Sequence, residues 1–148
     1  MSYDMKSTFI IKAKKLTEDA VIPTRVHHTD VGWDLYSIED VEIQSLESHV
    51  VHTGISLDLP IGSFAKIFDR SGNAAKKGFA VLGGVIDNGY TGEIKVIIHN
   101  ISKNPVKIRK GDRIAQFVLF KQFYSEIQET DVILEKDRND KGFGSSGD

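Results

Sequence analysis

Short apolar runs, each ended by a turn signal, recur along the chain and constrain its fold more than any other feature. Residues 55–59 alternate apolar and polar side chains before Pro60, and Ile94, Val96 and Ile98 share one face of a second run. A period of two is typical of a β-strand with one buried face. Further candidate strands lie at residues 8–13, 41–43, 49–51, 64–68, 106–108 and 114–120. Many short strands spaced by about ten residues predict an all-β sandwich or barrel-like fold.

Two other segments depart from the strand pattern. Residues 72–78 predict one short helix, because two alanines favour it and Gly78 is a typical C-terminal cap. From residue 135 the chain is charged and glycine-rich, with Phe143 as its only large apolar side chain. We therefore expect one β domain over residues 1–134 and a flexible C-terminal tail over residues 135–148.

The composition of the chain excludes several kinds of site and partner. The chain has 148 residues and no cysteine, which excludes disulfides, thiol catalysis and cysteine-based zinc sites and is compatible with a reducing cytoplasm. Its net charge of -2 gives no overall field for DNA or an anionic membrane. No apolar stretch is long enough to cross a bilayer. We expect neither a nucleic-acid nor a membrane partner, so an anionic ligand would need a local site.

Five glycine-containing stretches bring small residues together with charged, hydroxyl or amide groups. They are residues 30–37, 69–72, 84–93, 111–116 and 138–147. Taken alone, the first is best interpreted as a strand with Trp33 and Tyr36 buried. The third contains Asn88 followed by glycine, which predicts a tight hairpin. In that hairpin Asp87 either bonds turn amides or faces a ligand together with Tyr90.

The remaining stretches are ambiguous on their own. Arg70 with the following serine and glycine offers a candidate anion site, although Ser-Gly also opens ordinary turns. The stretch around Asp112 and Arg113 is best interpreted as a surface turn. The last stretch is either a disordered end or a segment that binds phosphate through Arg138 and stacks the ring of Phe143 on a ligand.

Together, in this order and spacing, the five stretches resemble the five motifs of the trimeric dUTPases (deoxyuridine triphosphate nucleotidohydrolases). The resemblance extends from Asp30 to Gly147. At four positions the residue differs from the one that is usual in the family motifs, namely Asp69, Gly89, Asn139 and Lys141. It implies a distorted jelly-roll β-sandwich, a homotrimer with sites shared between chains, and a cytoplasmic enzyme, in the host cytoplasm if the source is viral. The implied reaction hydrolyses dUTP to dUMP and pyrophosphate, which limits uracil in DNA and supplies dUMP for dTMP synthesis.

The resemblance also implies residue roles. Asp87 would orient and deprotonate the attacking water, and Gln116 would bond a phosphate oxygen or that water. Tyr90 would pack on the deoxyribose and exclude a 2′-hydroxyl, and Asp34 would reach a Mg²⁺ ion through water. The other implied substrate contacts are Arg70, Ser71, Gly72, Ile86, Gly92, Ile94, Arg138, Phe143, Gly144, Ser145 and Ser146. Of these, Arg138 would contact the γ-phosphate and Phe143 would close over uracil.

Two alternatives stay open. A dCTP deaminase shares the fold and a similar third motif, but it carries a catalytic glutamate ten residues past the aspartate, where this chain has Ile97. A non-catalytic nucleotide-sensing or interaction protein could use the same scaffold, because a fold does not settle function. Ile97 lies opposite Ile94, Val96 and Ile98, which suggests a strand covered on both faces.

Overall fold

The structure, a computed structural model, describes residues 8–138, 140–142 and 144. Within these ranges, ten strands follow one another: β1 Lys12–Lys15, β2 Gly32–Tyr36, β3 Val41–Ile43, β4 Ser48–Asp58, β5 Ser63–Phe68, β6 Phe79–Leu82, β7 Val85–Ile86, β8 Glu93–Asn100, β9 Val106–Ile108 and β10 Arg113–Lys121. Every strand pairing is antiparallel. The predicted all-β class is therefore confirmed.

The strands form two four-stranded sheets and a small two-stranded one. The first sheet has the order β1-β4-β8-β6, the second β2-β10-β5-β7, and β3 pairs with β9. Both large sheets contribute to one continuous buried cluster, in which Ile55, Val96 and Ile98 from the first sheet join Ala65 and Phe117 from the second. Each of these side chains is at most 1% exposed. This shared core is what holds the sheets in the fixed relation that the site requires.

Strand boundaries match the predictions where alternation is regular. Residues 41–43 and 106–108 are strands as predicted, while the predicted strands 49–51 and 55–59 merge into the single long strand β4, which ends one residue early at Asp58. The N-terminal strand is displaced: residues 8–13 were expected, but β1 begins at Lys12 because its partners on β4 are Ile55 to Asp58. Phe9, which should have been a strand residue, is 71% exposed.

The predicted short helix is present as a single π-helical turn, Asn73–Lys77. It ends at Gly78, which has a φ of 71° and donates its N–H to the carbonyl of Asn73 at 3.1 Å, as the cap prediction requires. In β2 the prediction is partly wrong, because Trp33 and Tyr36 are only half-buried while Leu35, at 1% exposure, enters the core. The ring of Trp33 instead lies against the Arg25 guanidinium, 4.2 Å from the ring centre.

The predicted hairpin at Asn88 is wrong. Strand β7 before it pairs with β5 in the second sheet, whereas β8 after it pairs with β4 and β6 in the first. Residues 87–92 therefore cross from one sheet to the other. The reason lies in Asn88, whose Nδ2 donates to the carbonyls of Pro60 and Ser63, both at 2.9 Å. These bonds hold the connection against the end of β4 and the start of β5. The chain therefore does not fold back to pair with β7.

Beyond β10 the chain has neither helix nor strand over residues 122–138. Several large apolar side chains in this segment are more than 70% exposed, namely Phe123, Tyr124, Ile127, Val132, Ile133 and Leu134. Within the described ranges, no helix has the length and apolar character needed to cross a membrane.

Candidate functional site

A cluster of charged and amide side chains lies on the outer face of the second sheet. Central strand β10 aligns Gln116 with Asp34 on β2 and with the last residue of β5, after which Arg70 follows. Arg70 Nε donates to Asp34 Oδ1 at 3.0 Å, and Arg113 Nη1 lies 3.9 Å from Oδ2. We call Asp34, Arg70, Arg113 and Gln116 the Asp34 cluster. Because two guanidinium groups face one carboxylate, the cluster keeps an excess of positive charge, which suits an anion.

Gln116 is held in one orientation. Its Nε2 donates to the main-chain carbonyl of Asp69 at 2.9 Å. A Cβ placed on Gly32, the neighbouring position on β2, would overlap Gln116 Oε1 and lie 2.8 Å from its Cδ. Glycine at 32 therefore makes room for a site side chain. One Nε2 hydrogen remains available to a ligand.

The segment after Arg70 is exposed, and hydrogen bonds from the residues that follow it hold it in place. Ala74 and Asn73 donate their N–H groups to the Arg70 carbonyl at 3.1 and 3.0 Å. The Asn73 side chain is buried and donates to the Arg113 carbonyl at 2.9 Å, which ties this segment to β10. A Cβ on Gly72 would meet nothing within 4 Å. The backbone at Ser71 and Gly72 thus lies open to approach from outside.

A second set of residues lines a cavity of about 250 Å³ where β5, β7 and the connection over residues 87–92 meet β8. Its lining comprises Ile67, Gly84, Val85, Ile86, Asp87, Tyr90, Glu93, Ile94, Lys95 and Ile97. Tyr90 donates its N–H to the Asp87 carbonyl at 3.0 Å and its hydroxyl to the Glu93 carbonyl at 2.6 Å. A Cβ on Gly92 would lie 2.8 Å from the Tyr90 hydroxyl oxygen, so this glycine lies directly beneath the phenol. Among the described residues, no side chain or amide pairs with the Asp87 carboxylate.

Two supporting residues were missed by the sequence reasoning. Asn88 anchors the crossing connection through three carbonyls, including Leu59 at 3.5 Å, yet it was interpreted only as a turn former. Glu93 accepts hydrogen bonds from His52 Nδ1 at 2.9 Å and from the Gly54 N–H at 3.0 Å. Their partners lie 25 to 41 residues earlier in the chain, so no local pattern could have shown them.

The ionisation of Glu93 reflects these contacts. Partial burial opposes the charged form, but the hydrogen bonds from His52 and from the Gly54 amide outweigh it, so the pKa of Glu93 is lowered. The charged carboxylate is thereby favoured at the boundary of the cavity.

The predicted site residues fall into two groups and a tail. Asp34, Arg70 and Gln116 meet in the Asp34 cluster, whereas Asp87 and Tyr90 meet in the cavity. In the tail, Arg138 donates to the Lys141 carbonyl at 3.2 Å, and Gly144 has a φ of 86°. The predicted contacts Phe143, Ser145 and Ser146, and the departure at Asn139, lie outside the described residues.

A family model for dUTPase matches residues 18–147. The two sets of residues thus belong to a nucleotide-handling all-β scaffold, and the chain belongs to the dUTPase family. Among its relatives is the deoxyuridine 5′-triphosphate nucleotidohydrolase of Clostridioides difficile, 42% identical over 93% of this chain and 97% of that protein. The enzyme of the same name from Crocosphaera subtropica is 47% identical over 93% of this chain and 98% of that protein.

Solved structures give the same result. The dUTPase of Staphylococcus bacteriophage 80alpha with dUPNHPP superposes with a TM-score of 0.88 at 29% identity, covering 95% of this chain and 99% of that one. A mutant dUTPase of phage phi11 of S. aureus, described with a structural Mg(II) ion, has a TM-score of 0.79 at 25% identity, with 85% and 99% covered.

Proposed function

We propose that this protein hydrolyses dUTP to dUMP and pyrophosphate. The observation that carries the proposal is the cavity in which Asp87 and Tyr90 face the same space, within a chain of the dUTPase family. The product dUMP would supply dTMP synthesis, and removal of dUTP would limit uracil in DNA. Because the chain is free of cysteine, the cytoplasm, or the host cytoplasm for a viral source, is a suitable compartment.

In this mechanism Asp87 is the general base. Its carboxylate has no protein partner among the described residues, so it is available to accept a proton from water. The water oxygen forms a bond to the α-phosphorus while the bond from that phosphorus to the bridging oxygen of the β-phosphate breaks. Pyrophosphate leaves and Asp87 holds the proton. Gln116, with one Nε2 hydrogen free, would bond a phosphate oxygen or the water.

The sugar and base would occupy the Tyr90 side of the cavity. The phenol ring is held over Gly92 and bonded to the Glu93 carbonyl. In this position it would offer a flat apolar surface to deoxyribose and would exclude a 2′-hydroxyl. Ile86 and Ile94 are buried in the core, at 5% and 2% exposure, and both line the cavity, so their main chain would contact the base. Backbone donors and acceptors there would distinguish uracil from cytosine.

The triphosphate would be bound by the Asp34 cluster. Arg70 supplies charge and the open backbone at Ser71 and Gly72 supplies N–H donors. Arg138 would add a contact to the γ-phosphate, and the ring of Phe143, with Gly144, Ser145 and Ser146 around it, would close the site as part of a flexible tail over residues 135–148.

Magnesium fits this site only as an ion held by the nucleotide. Among the described residues there is no group of three His, Cys, Asp or Glu side chains that could bind a metal, and Asp34 is already paired with Arg70. These residues would suit a Mg²⁺ ion that is coordinated by phosphate oxygens and water and that Asp34 contacts through a water molecule. When bound, Mg²⁺ would neutralise charge on the phosphates.

A homotrimer would complete the site. On the outer face of the first sheet, Val50 pairs with Ile97 and Ile97 with Leu82, and the three side chains are 45%, 37% and 44% exposed. Such a contiguous apolar patch favours contact with another copy, as do the exposed apolar side chains of residues 122–138. The Asp34 cluster of one chain would then face the Asp87 cavity of another.

Ile97 also favours hydrolysis over deamination. It lines the cavity at the position where the deaminase alternative needs a glutamate, and an isoleucine cannot exchange a proton. We expect neither nucleic acid nor membrane as a partner.

The proposal is tested by incubating the protein with dUTP, dCTP, TTP or UTP in the presence of Mg²⁺. Pyrophosphate from dUTP alone is the expected result. Deamination of dCTP would favour the deaminase alternative, and absence of any product would favour a nucleotide-sensing or interaction protein. Either outcome would contradict the proposal.

A further inference from the structure

We propose that Glu93 is a positioning residue that sets the selection of deoxyribose over ribose by holding Tyr90 through its main chain. This inference rests on the proposed function, because the role assigned to Tyr90 is part of it. The carboxylate of Glu93 would act without touching the nucleotide sugar itself.

The side chain of Glu93 is anchored at both oxygens to the neighbouring strand β4. Oε1 is bonded to His52 Nδ1 at 2.9 Å and Oε2 accepts the Gly54 N–H at 3.0 Å. The side chain is only 20% exposed. Since both contacts come from β4, Glu93 connects the start of β8 to the middle of that strand.

The anchor uses an irregularity in the pairing of β4 with β8. His52 pairs with Lys95 and Ser56 with Glu93, so four steps along β4 match two steps along β8. Gly54 has a φ of +67°, and a Cβ there would lie 2.8 Å from Thr17 Oγ1. The bulge turns the Gly54 N–H out of the regular ladder, and the Glu93 carboxylate is the acceptor that satisfies it.

The main chain of Glu93 in turn holds Tyr90. The Tyr90 hydroxyl donates to the Glu93 carbonyl at 2.6 Å and its ring covers Gly92, whose missing side chain leaves room for it. The position of the Glu93 carbonyl therefore decides the tilt of the phenol. A shift at Glu93 would open space beside the ring, where a 2′-hydroxyl would enter.

Strand β8 itself does not depend on the carboxylate. Thr53 Oγ1 donates to the carbonyl of Ile94 at 2.5 Å, and Ile94 is 2% exposed in the core. We therefore expect Glu93 variants to fold, with a change confined to the first residue of β8 and the tyrosine bonded to it.

The experiment compares kcat/KM for dUTP and UTP in the wild type, Glu93→Gln and Glu93→Ala. The dUTP-to-UTP ratio should fall about fivefold in Glu93→Gln and further in Glu93→Ala, mainly because UTP is used better. Tyr90→Phe, which removes the hydroxyl bond, should lower the ratio similarly, and adding Glu93→Gln to it should lower it little more. Glu42→Gln, on the exposed side of β3, is the matched control and should leave the ratio unchanged.

The outcomes separate this inference from the proposed function. A wild type that hydrolyses dUTP and UTP equally would overturn the role of Tyr90. A selective wild type whose ratio is kept in both Glu93 variants would overturn only the inference, as would equal losses on the two nucleotides, the mark of a merely structural role. If the Glu93 variants do not fold, His52→Gln supplies the same test, with a smaller fall in the ratio expected and an unchanged ratio counting against the inference.

Discussion

The side-chain amide of Gln116 donates to the main-chain carbonyl of Asp69, and the carboxylate of Asp69 accepts the N–H of Val81 at 2.7 Å. Asp69 thus links β10 in the second sheet to β6 at the edge of the first. The carbonyl that orients Gln116 belongs to the main chain and would be present with any residue at position 69, whereas the bond to Val81 requires the aspartate side chain.

Asp69→Ala should therefore affect stability more than catalysis. Loss of the Val81 bond should lower the free energy of unfolding by about 1 kcal/mol. With the carbonyl retained, kcat for dUTP should change little. Urea denaturation at one fixed protein concentration measures the first effect, with Asp69→Asn, whose amide oxygen still accepts, as control. A large fall in kcat at unchanged stability would contradict this division of roles.

Asp87→Asn should retain nucleotide binding and lose turnover. Removal of a general base lowers kcat by at least about 10². Pyrophosphate release measures turnover, and calorimetric titration with dUPNHPP measures binding. Asp58→Asn, an exposed change at the end of β4, is the control. Turnover near the wild-type value in Asp87→Asn would remove this residue from its proposed role.

Gly32→Ala should disturb Gln116 because the new methyl group would overlap its side-chain oxygen. Displacement of a positioned group by about 1 Å commonly lowers kcat by roughly 10- to 100-fold. The double variant Gly32→Ala/Gln116→Ala should be no worse than Gln116→Ala alone, because both changes act through the same side chain. If the double variant instead loses kcat by the product of the two single losses, Gly32 affects catalysis by a route that does not involve Gln116.

Leu46→Gly should stabilise the protein. Leu46 is 71% exposed and has a φ of 64°, a left-handed conformation that costs an L-residue about 1–2 kcal/mol. The greater freedom of glycine in the unfolded chain offsets part of the gain, which leaves about 0.5–1 kcal/mol. Thermal unfolding at fixed concentration measures the change, and a lower Tm would show that the Leu46 side chain stabilises the protein by more than its backbone conformation costs.

Low pH should weaken the ion pair between Asp19 and Lys110. Hydrogen bonds from Lys110, whose Nζ lies 2.6 Å away, and from Thr17 lower the pKa of Asp19 from 3.8 to about 2. A lowered pKa contributes stability above the unfolded value that is lost as the pH falls through the folded value. Asp19→Asn should therefore have a slightly lower Tm than the wild type at pH 7.

The difference between Asp19→Asn and wild type should disappear as the pH falls from 3.8 towards about 2, and it should shrink in high salt because the pair is exposed. A difference that persists at pH 2 would mean that Asp19 acts through packing instead of charge.

The sequence by itself determined the all-β class, the buried face of the regularly alternating strands and the family. Alternation identified Ile94, Val96 and Ile98 as core residues because a strand buries every second side chain whatever its partners are. The left-handed cap at Gly78 was predictable for a different local reason, because glycine has no Cβ and adopts a positive φ at little cost. The family motifs named Asp87, Tyr90 and Gln116 without any structure.

Only the tertiary structure decided what those residues touch. Asn88 followed by glycine favours a hairpin locally, but three carbonyls from the end of β4 and the start of β5 accept its side chain and send the chain across to the other sheet. The contacts of Glu93 with His52 and of Gln116 with Asp69 likewise join residues 41 and 47 positions apart. Such bonds depend on strand order and register, which local periodicity does not encode because pairing partners are chosen by the packing of the whole core.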